Sequence, residues 1–418
     1  NVSVPSCIVN NFSPFIISSH ICKNSAVEPL SLATKPLPWI CSFGFLLLTI
    51  KEELLNNGIN EENCIFIDLD SRKYNTIKTD KDLEKLLDSY DNIKGIKYVF
   101  IDEIQNIQNF EEVINAFRID GEYSIFITGS NSYLLSGELA TKLTGRYIEF
   151  EIFTLSFYEY IEMKKFYKKT IDTNIISELN NYIIEGGFPK TIQYDSIIDK
   201  RTYTRAVVEE IFEKDIKKRV KVRTIETFNL VKNFIINNYG QTMSVLSIQK
   251  GLENAGIKVR RETINKYIEI LINAKIIYQC DRFDMKSKRA LKGEKKYYLS
   301  DSSFYYVLNT DNRINYGPAL ENVVYTYARS KKYTVSVGRI GLLECDFILR
   351  DDHLNYSYLQ IAYTILDTIK TEDREYAPLE SIKDNYPKYV LTTDFLIQKR
   401  NGIIHANIAN FIEDNLNF

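Results

Sequence analysis

The sequence predicts an α/β protein that opens on a doubly wound parallel sheet and continues into helical, hairpin-containing and further α/β segments. Three observations predict it. From Ile50 to about Ile152, short β-rich runs alternate with helical stretches, the pattern of a parallel sheet covered on both faces. Within that region Lys97-Tyr98-Val99-Phe100-Ile101-Asp102-Glu103 is an apolar run ending in two carboxylates. From Lys250 to Lys296 there are 13 Lys or Arg against 6 Asp or Glu, a local net charge of +7 in a chain of net charge -2.

The elements of the first region follow in order. Lys51 to Asn57 closes a helix at Gly58, Cys64 to Asp68 is strand-like, Asp80 to Tyr90 helical, and Tyr98 to Asp102 a strand. Phe110 to Ile119 is helical, Ser124 to Thr128 a strand, Ser132 to Leu143 helical, and Tyr147 to Ile152 a strand. Ligands of such sheets sit at the carboxyl ends of the strands. There Asp102 and Glu103 read as the acidic tip of a P-loop NTPase-like core, with Asp102 holding Mg2+ and Glu103 orienting the attacking water. The alternative for such a pair is a plain loop start. Thr128-Gly129-Ser130-Asn131-Ser132 ends the next strand, so Ser130 or Asn131 reads either as a sensor beside a phosphate or as a helix N-cap. Arg146 opens the last strand of this region and is either a phosphate-reaching arginine or a surface ion-pair residue.

The partner of that acidic tip is missing. A phosphate cradle needs Gly-x-x-x-x-Gly-Lys-Ser/Thr at a helix N-terminus, and no such run occurs in the chain. Where it belongs, composition changes abruptly: residues 1–50 hold only Lys23, Glu28 and Lys35 as charged side chains, five of the nine prolines, and the single Trp39. Ile40 to Ile50 lacks a basic region before it and, at eleven residues, is too short to cross a hydrocarbon layer of ~30 Å. Residues 1–48 read as an out-of-frame or mis-joined translation. The sheet is then expected to lack its central strand, with Ile40 to Leu48 as the one substitute and an impaired N-terminal domain as the result.

Later segments divide by pattern. Residues 153–221 read as a helical lid or connector; the interleaved charges from Glu209 to Arg219 are a solvated helix face. Residues 222–300 run helix (Phe228 to Asn237), helix (Ser244 to Asn254), turn at Gly256, helix (Arg261 to Asn273), then two strands, the order of a winged helix-turn-helix. Arg260, Arg261, Asn265 and Lys266 then lie on or near the recognition helix, and Lys286, Lys288, Arg289 and Lys292 in the wing. Phosphate contact, and so DNA, is the physical reading; a protein partner is the alternative. Residues 301–418 look like a restriction-endonuclease-type α/β core with Glu321 on a helix and Asp346 on a strand. Gln360 and Ala362 stand where that core carries its second acid and its lysine, so an active Mg2+-dependent nuclease is not expected.

Phe100-Ile101-Asp102-Glu103-Ile104-Gln105, Ile127-Thr128-Gly129-Ser130-Asn131-Ser132, Thr144-Gly145-Arg146-Tyr147, Leu155-Ser156-Phe157-Tyr158-Glu159-Tyr160 and Gly186-Gly187-Phe188-Pro189 occur in that order. Together they resemble the bacterial and archaeal AAA-type ATPases with a C-terminal DUF4143 domain, over roughly residues 50–418. The resemblance implies ATP and Mg2+ binding, ATP hydrolysis and an appended DNA-binding-like module. Six cysteines without regular spacing and three histidines argue against a disulfide framework or zinc site and for a cytoplasmic protein. The composition gives no pull toward a membrane.

Overall fold

The computed structural model describes residues 7–11, 44–129, 147–212, 225–286, 289–309 and 313–418. The chain divides into two compact units, Asn1–Phe153 and Thr154–Phe418.

The smaller unit is a five-stranded parallel sheet. Its strands are β1 (Cys7–Asn11), β2 (Cys64–Asp68), β3 (Lys97–Asp102), β4 (Tyr123–Gly129) and β5 (Ile148–Ile152), in the spatial order β2-β3-β4-β1-β5. Helix α1 (Gly44–Asn56), α2 (Asp80–Asp88) and α3 (Phe110–Ile119) intervene along the chain. Alternation along β3 sets the layers, because successive side chains face opposite ways. Val99 and Ile101 join Ile65, Ile67, Ile125 and Ile127 in a core closed by Leu83 and Leu87 of α2 and by Phe110, Ile114 and Phe117 of α3. Tyr98 and Phe100 face the other way, against Phe126 and Leu47 of α1. Helices therefore cover both faces, as the alternating pattern predicts.

Two expectations for the front of the chain are corrected. The sheet has its central strand: β1 pairs in parallel with both β4 and β5, Ile8 opposite Ile127 and Glu149, so the backbones of β4 and β5 meet a partner rather than a gap. The described part of the run from Ile40 to Leu48, from Gly44 onward, is the first turn of α1 rather than a strand, and its Leu47 is fully buried.

In the larger unit, α4 (Phe157–Phe166), α5 (Ile175–Glu185) and α6 (Ile197–Ile211) come first, then α7 (Ile225–Asn237), β6 (Thr242–Met243), α8 (Val245–Asn254) and α9 (Arg261–Asn273). The hairpin β7 (Ile277–Asp284) and β8 (Arg289–Leu299) follows, then α10 (Ser303–Leu308), α11 (Tyr316–Ser330), β9 (Thr334–Ile340), β10 (Leu343–Arg350) and β11 (Tyr356–Ile361). The chain closes on α12 (Ile369–Ser381), β12 (Lys388–Thr392), β13 (Lys399–Arg400), β14 (Ile403–Asn407) and α13 (Ile408–Glu413). All nine strands form one sheet, β13-β14-β12-β11-β10-β9-β7-β8-β6. Parallel pairing of Arg282 to Asp284 with Val337 to Arg339 joins the hairpin to the C-terminal strands. The sheet thus runs unbroken across the division that the sequence pattern places near residue 300.

Gly186-Gly187 is a packing clasp. The Gly187 N–H donates to Asp301 Oδ2 at 2.8 Å, and its carbonyl accepts from the Leu155 N–H at 2.8 Å. A Cβ on Gly187 would lie 2.3 Å from the Leu155 carbonyl oxygen, and one on Gly186, at φ +79°, would lie 2.0 Å from Asp301 Oδ1. Only glycine fits there.

Candidate functional site

The acidic tip of β3 is built as the sheet dictates. Five apolar or aliphatic-stemmed residues bury the strand, and Asp102 at its end remains buried. Thr128, fully buried at the end of neighbouring β4, donates its hydroxyl to Asp102 Oδ1. The same Thr128 oxygen accepts the Glu103 N–H at 3.4 Å. The Asp102 carbonyl accepts from the Leu69 N–H at 3.3 Å, extending the pairing past β2. One hydroxyl therefore orients the carboxylate and the first residue of the following loop.

Glu103 has φ 58° and ψ 45°, the left-handed region that non-glycine residues rarely enter. Its side chain accepts from the Gln105 amide, and it is half-buried. Such backbone geometry costs of order 1–3 kcal/mol and persists where the surroundings impose it, which functional sites often do. The turn carries the Glu103 side chain off the strand direction, beside the buried Asp102.

The phosphate side of the site is placed but not chemically equipped. Strand β1 ends at Asn11, paired with Ile152, one step beyond the Asn10 to Gly129 pairing, so the chain leaves β1 at the same sheet edge as Asp102. Residues 12–43 then lead to α1, and they contain no glycine and no Gly-Lys-Ser/Thr. The carboxylate half thus fits a Mg2+-nucleotide, and the phosphate-cradling half does not. Ser130, Asn131 and Arg146, the expected sensor, cap and phosphate-reaching residues, lie outside the described residues, as does the expected helix from Ser132 to Leu143.

In the larger unit Arg260 precedes α9, and Arg261, Asn265 and Lys266 are exposed on it. Arg261 Nε donates to Gln249 Oε1 at 2.9 Å, tying α9 to α8. Lys286 and Arg289 are exposed at the hairpin tip; Lys288 lies outside the described residues.

Asp346 and Gln360 share one buried hydrogen-bond network, and Glu321 belongs to a second one beside it. Asp346 Oδ2 accepts the Ile361 N–H at 2.8 Å, while Gln360 Oε1 accepts the Asp346 N–H at 3.4 Å. Gln360 Nε2 donates to Glu375 at 2.9 Å. Glu321 accepts from Tyr298 Oη at 2.7 Å and pairs with Lys296 at 3.0 Å. Burial pushes the Asp346 carboxyl well above the usual range, Glu321 adds to this, and Lys296 opposes it. Among the described residues no group of three or more His, Cys, Asp or Glu side chains is arranged to hold a metal ion. Nor is any described helix long and apolar enough to cross a membrane.

Sequence reasoning missed Thr128 and Lys296. Thr128 stood in the quoted motif without a role, yet a hydroxyl at the strand position beside an acidic tip was the available signal. Lys296 was counted only as charge; its two-residue spacing from buried Tyr298 places both on one strand face.

A parallel sheet of this order, covered by helices on both faces, is an α/β fold resembling that of P-loop NTPases. A family model described as an AAA domain matches residues 45–161, starting where the atypical front segment gives way to α1. A second, described as a domain of unknown function, DUF8612, matches residues 176–313, whereas the resemblance implied a DUF4143 domain at residues 301–418. An uncharacterized protein of Haemophilus influenzae is 32% identical over 357 residues, 84% of this chain and 86% of that protein. An uncharacterized protein of Methanocaldococcus jannaschii is 30% identical over 334 residues, 78% of this chain and 74% of that one. A Walker-type ATPase of Pyrococcus abyssi superposes with a TM-score of 0.45 at 13% identity, covering 73% of this chain and 91% of that one. The chain belongs to one family with the Haemophilus influenzae and Methanocaldococcus jannaschii proteins, and its residues 45–161 match an AAA domain.

Proposed function

We propose that this chain is an ATP-binding switch of the AAA type, in which nucleotide turnover on the smaller unit is coupled to binding of DNA by the larger one. The observation that carries the reading is the tip of β3, where Thr128 fixes buried Asp102 and the start of a strained Glu103 turn. Asp102 would hold Mg2+ through water and Glu103 would orient the water that attacks the terminal phosphate. Steady-state phosphate release by the full chain tests it. Release that falls ~100-fold or more in Glu103→Gln supports the assignment; equal release in the two proteins refutes it.

The DNA half of the proposal rests on the order of α7, α8, α9 and the β7–β8 hairpin, read as a winged helix, and on the local +7 charge. Filter binding at 50 and 200 mM salt is the test. Affinity that drops steeply with salt, and whose slope shrinks in Arg260→Ala with Lys266→Ala, is expected. No binding at low salt would point to a protein partner instead.

A second reading is favoured by one specific observation, the missing Gly-Lys-Ser/Thr between β1 and α1: a nucleic-acid or protein-binding module that keeps the ATPase fold without turnover. The composition of residues 1–48 supports a mis-joined reading frame. A Gly-rich loop ending in Gly-Lys-Ser or Gly-Lys-Thr in another frame of the coding DNA would restore the first reading.

A further inference from the structure

A cluster of acidic side chains lies where β8, α11 and β10 meet. Glu321 approaches from the helix, with Glu344 and Asp346 two residues apart on one strand. Lys296 enters from β8, its side chain 6% exposed, with Nζ 3.0 Å from Glu321 Oε2 and 3.1 Å from Glu344 Oε1. Tyr298, on the same face of β8, donates to the same Glu321 oxygen. Arg282 of β7 flanks the pocket, 2.9 Å from Glu344 Oε2. Asp346 is held separately by the Ile361 N–H.

Two carboxylates of one pocket therefore converge on a single buried ammonium. Burial alone would pull the Lys296 ammonium toward its neutral form, yet Glu321, Asp346 and Glu344 outweigh that cost and hold it above the ordinary lysine range. Ala362 leaves no lysine at the position where the sequence pattern looks for one, and Lys296 comes from a different strand, reaching the carboxylates themselves. A metal ion bound by the same oxygens would have to displace it.

We propose that Lys296 is the built-in cation of this pocket: its ammonium takes the place of a divalent metal, binds Glu321 and Glu344, and ties the hairpin to α11 and β10. The pocket is then a structural tie that excludes divalent cations. Removing the ammonium would open it to them. Neither step depends on ATP or DNA binding.

The experiment is a Mn2+ titration by calorimetry, with melting curves, of the full chain, of Lys296→Met and of the double variant Lys296→Met with Glu321→Gln. The unaltered protein, free of nucleotide, is expected to show no saturable Mn2+ binding in the millimolar range that Asp346→Asn abolishes. Lys296→Met is expected to melt roughly 10 °C lower in chelator, because breaking one partner of a buried pair leaves a stranded charge. It is expected to regain part of that loss, with saturable binding, in Mn2+. The double variant is expected to regain stability without metal. Should Lys296→Met fail to fold while the double variant folds, the proposal also stands; if both fail, the lysine's charge is not what the pocket needs and the proposal falls. Saturable Mn2+ binding by the unaltered chain that vanishes in Asp346→Asn would overturn it, as would a Lys296→Met protein melting within about 2 °C of the parent.

Discussion

The tip of β3 and the pocket around Lys296 are both buried carboxylate sites on sheets, and they are held in opposite ways. At the tip, a threonine hydroxyl and a backbone N–H orient Asp102 and Glu103, and the chain leaves the strand through a left-handed residue. Around Lys296, the residues sit on strands and a helix, and cations of the same chain pair with Glu321 and Glu344. The first arrangement spends backbone strain to present carboxylates at the ends of the strands; the second neutralises Glu321 and Glu344 by pairing them with cations. Acidity alone therefore does not mark a reactive site, and the identity of the donors does.

The comparison can be broken, first, through the clasp that anchors the larger unit. Gly187→Ala places a methyl 2.3 Å from the Leu155 carbonyl oxygen, so a loss of at least ~3 kcal/mol is expected in the melting of that unit. A melt equal to the parent's would show that the clasp yields. Second, Phe100→Ala removes a ring fully buried and stacked on Phe126 at 4.9 Å. A cost of about 3–5 kcal/mol should appear in hydrogen exchange of the smaller unit and leave the larger one unchanged.

Third, Thr128→Val keeps the shape but removes one hydrogen bond each from Asp102 and Glu103, so β3 and β4 should lose about 1–3 kcal/mol of exchange protection. The same change made at Thr326, which bonds only its own helix carbonyls, should cost less. Fourth, His405 provides a pH test in the larger unit. It is buried; its Nδ1 accepts the Gln398 N–H at 3.0 Å and its Nε2 lies 2.8 Å from Thr392 Oγ1. Burial lowers its pKa, opposed by Asp394 and Glu372. A base held neutral binds fewer protons folded than unfolded, so its contribution is complete above the unfolded value of ~6.5 and is lost as pH falls below it. Urea midpoints at pH 7.5 and 5.5 should differ less in His405→Gln than in the parent; equal differences would remove His405 from the account.

Much of this was legible because the helices carry one apolar face and the buried parallel strands are apolar on both. The strand Cys64 to Asp68 and the helices Phe110 to Ile119 and Arg261 to Asn273 have the bounds that periodicity gives them. Asp102 was legible because a charged pair after a buried run is conspicuous. The central strand was not: Cys7 to Asn11 is short, far from its neighbours in sequence, and set in an atypical segment, and long-range parallel pairing leaves no local signal. Lys296 was hidden for the same reason, since its partners lie 25 and 48 residues further along the chain.

The most direct test of the central claim is a calorimetric titration of the full chain with Mg-ATP, with Asp102→Ala alongside. Saturable binding by the parent that is lost in Asp102→Ala is the predicted result, and it would mean that residues 12–43 supply phosphate contacts behind β1. No binding by a chain whose two units melt cooperatively would contradict the ATP-binding claim and leave the protein as a binding module on an ATPase fold.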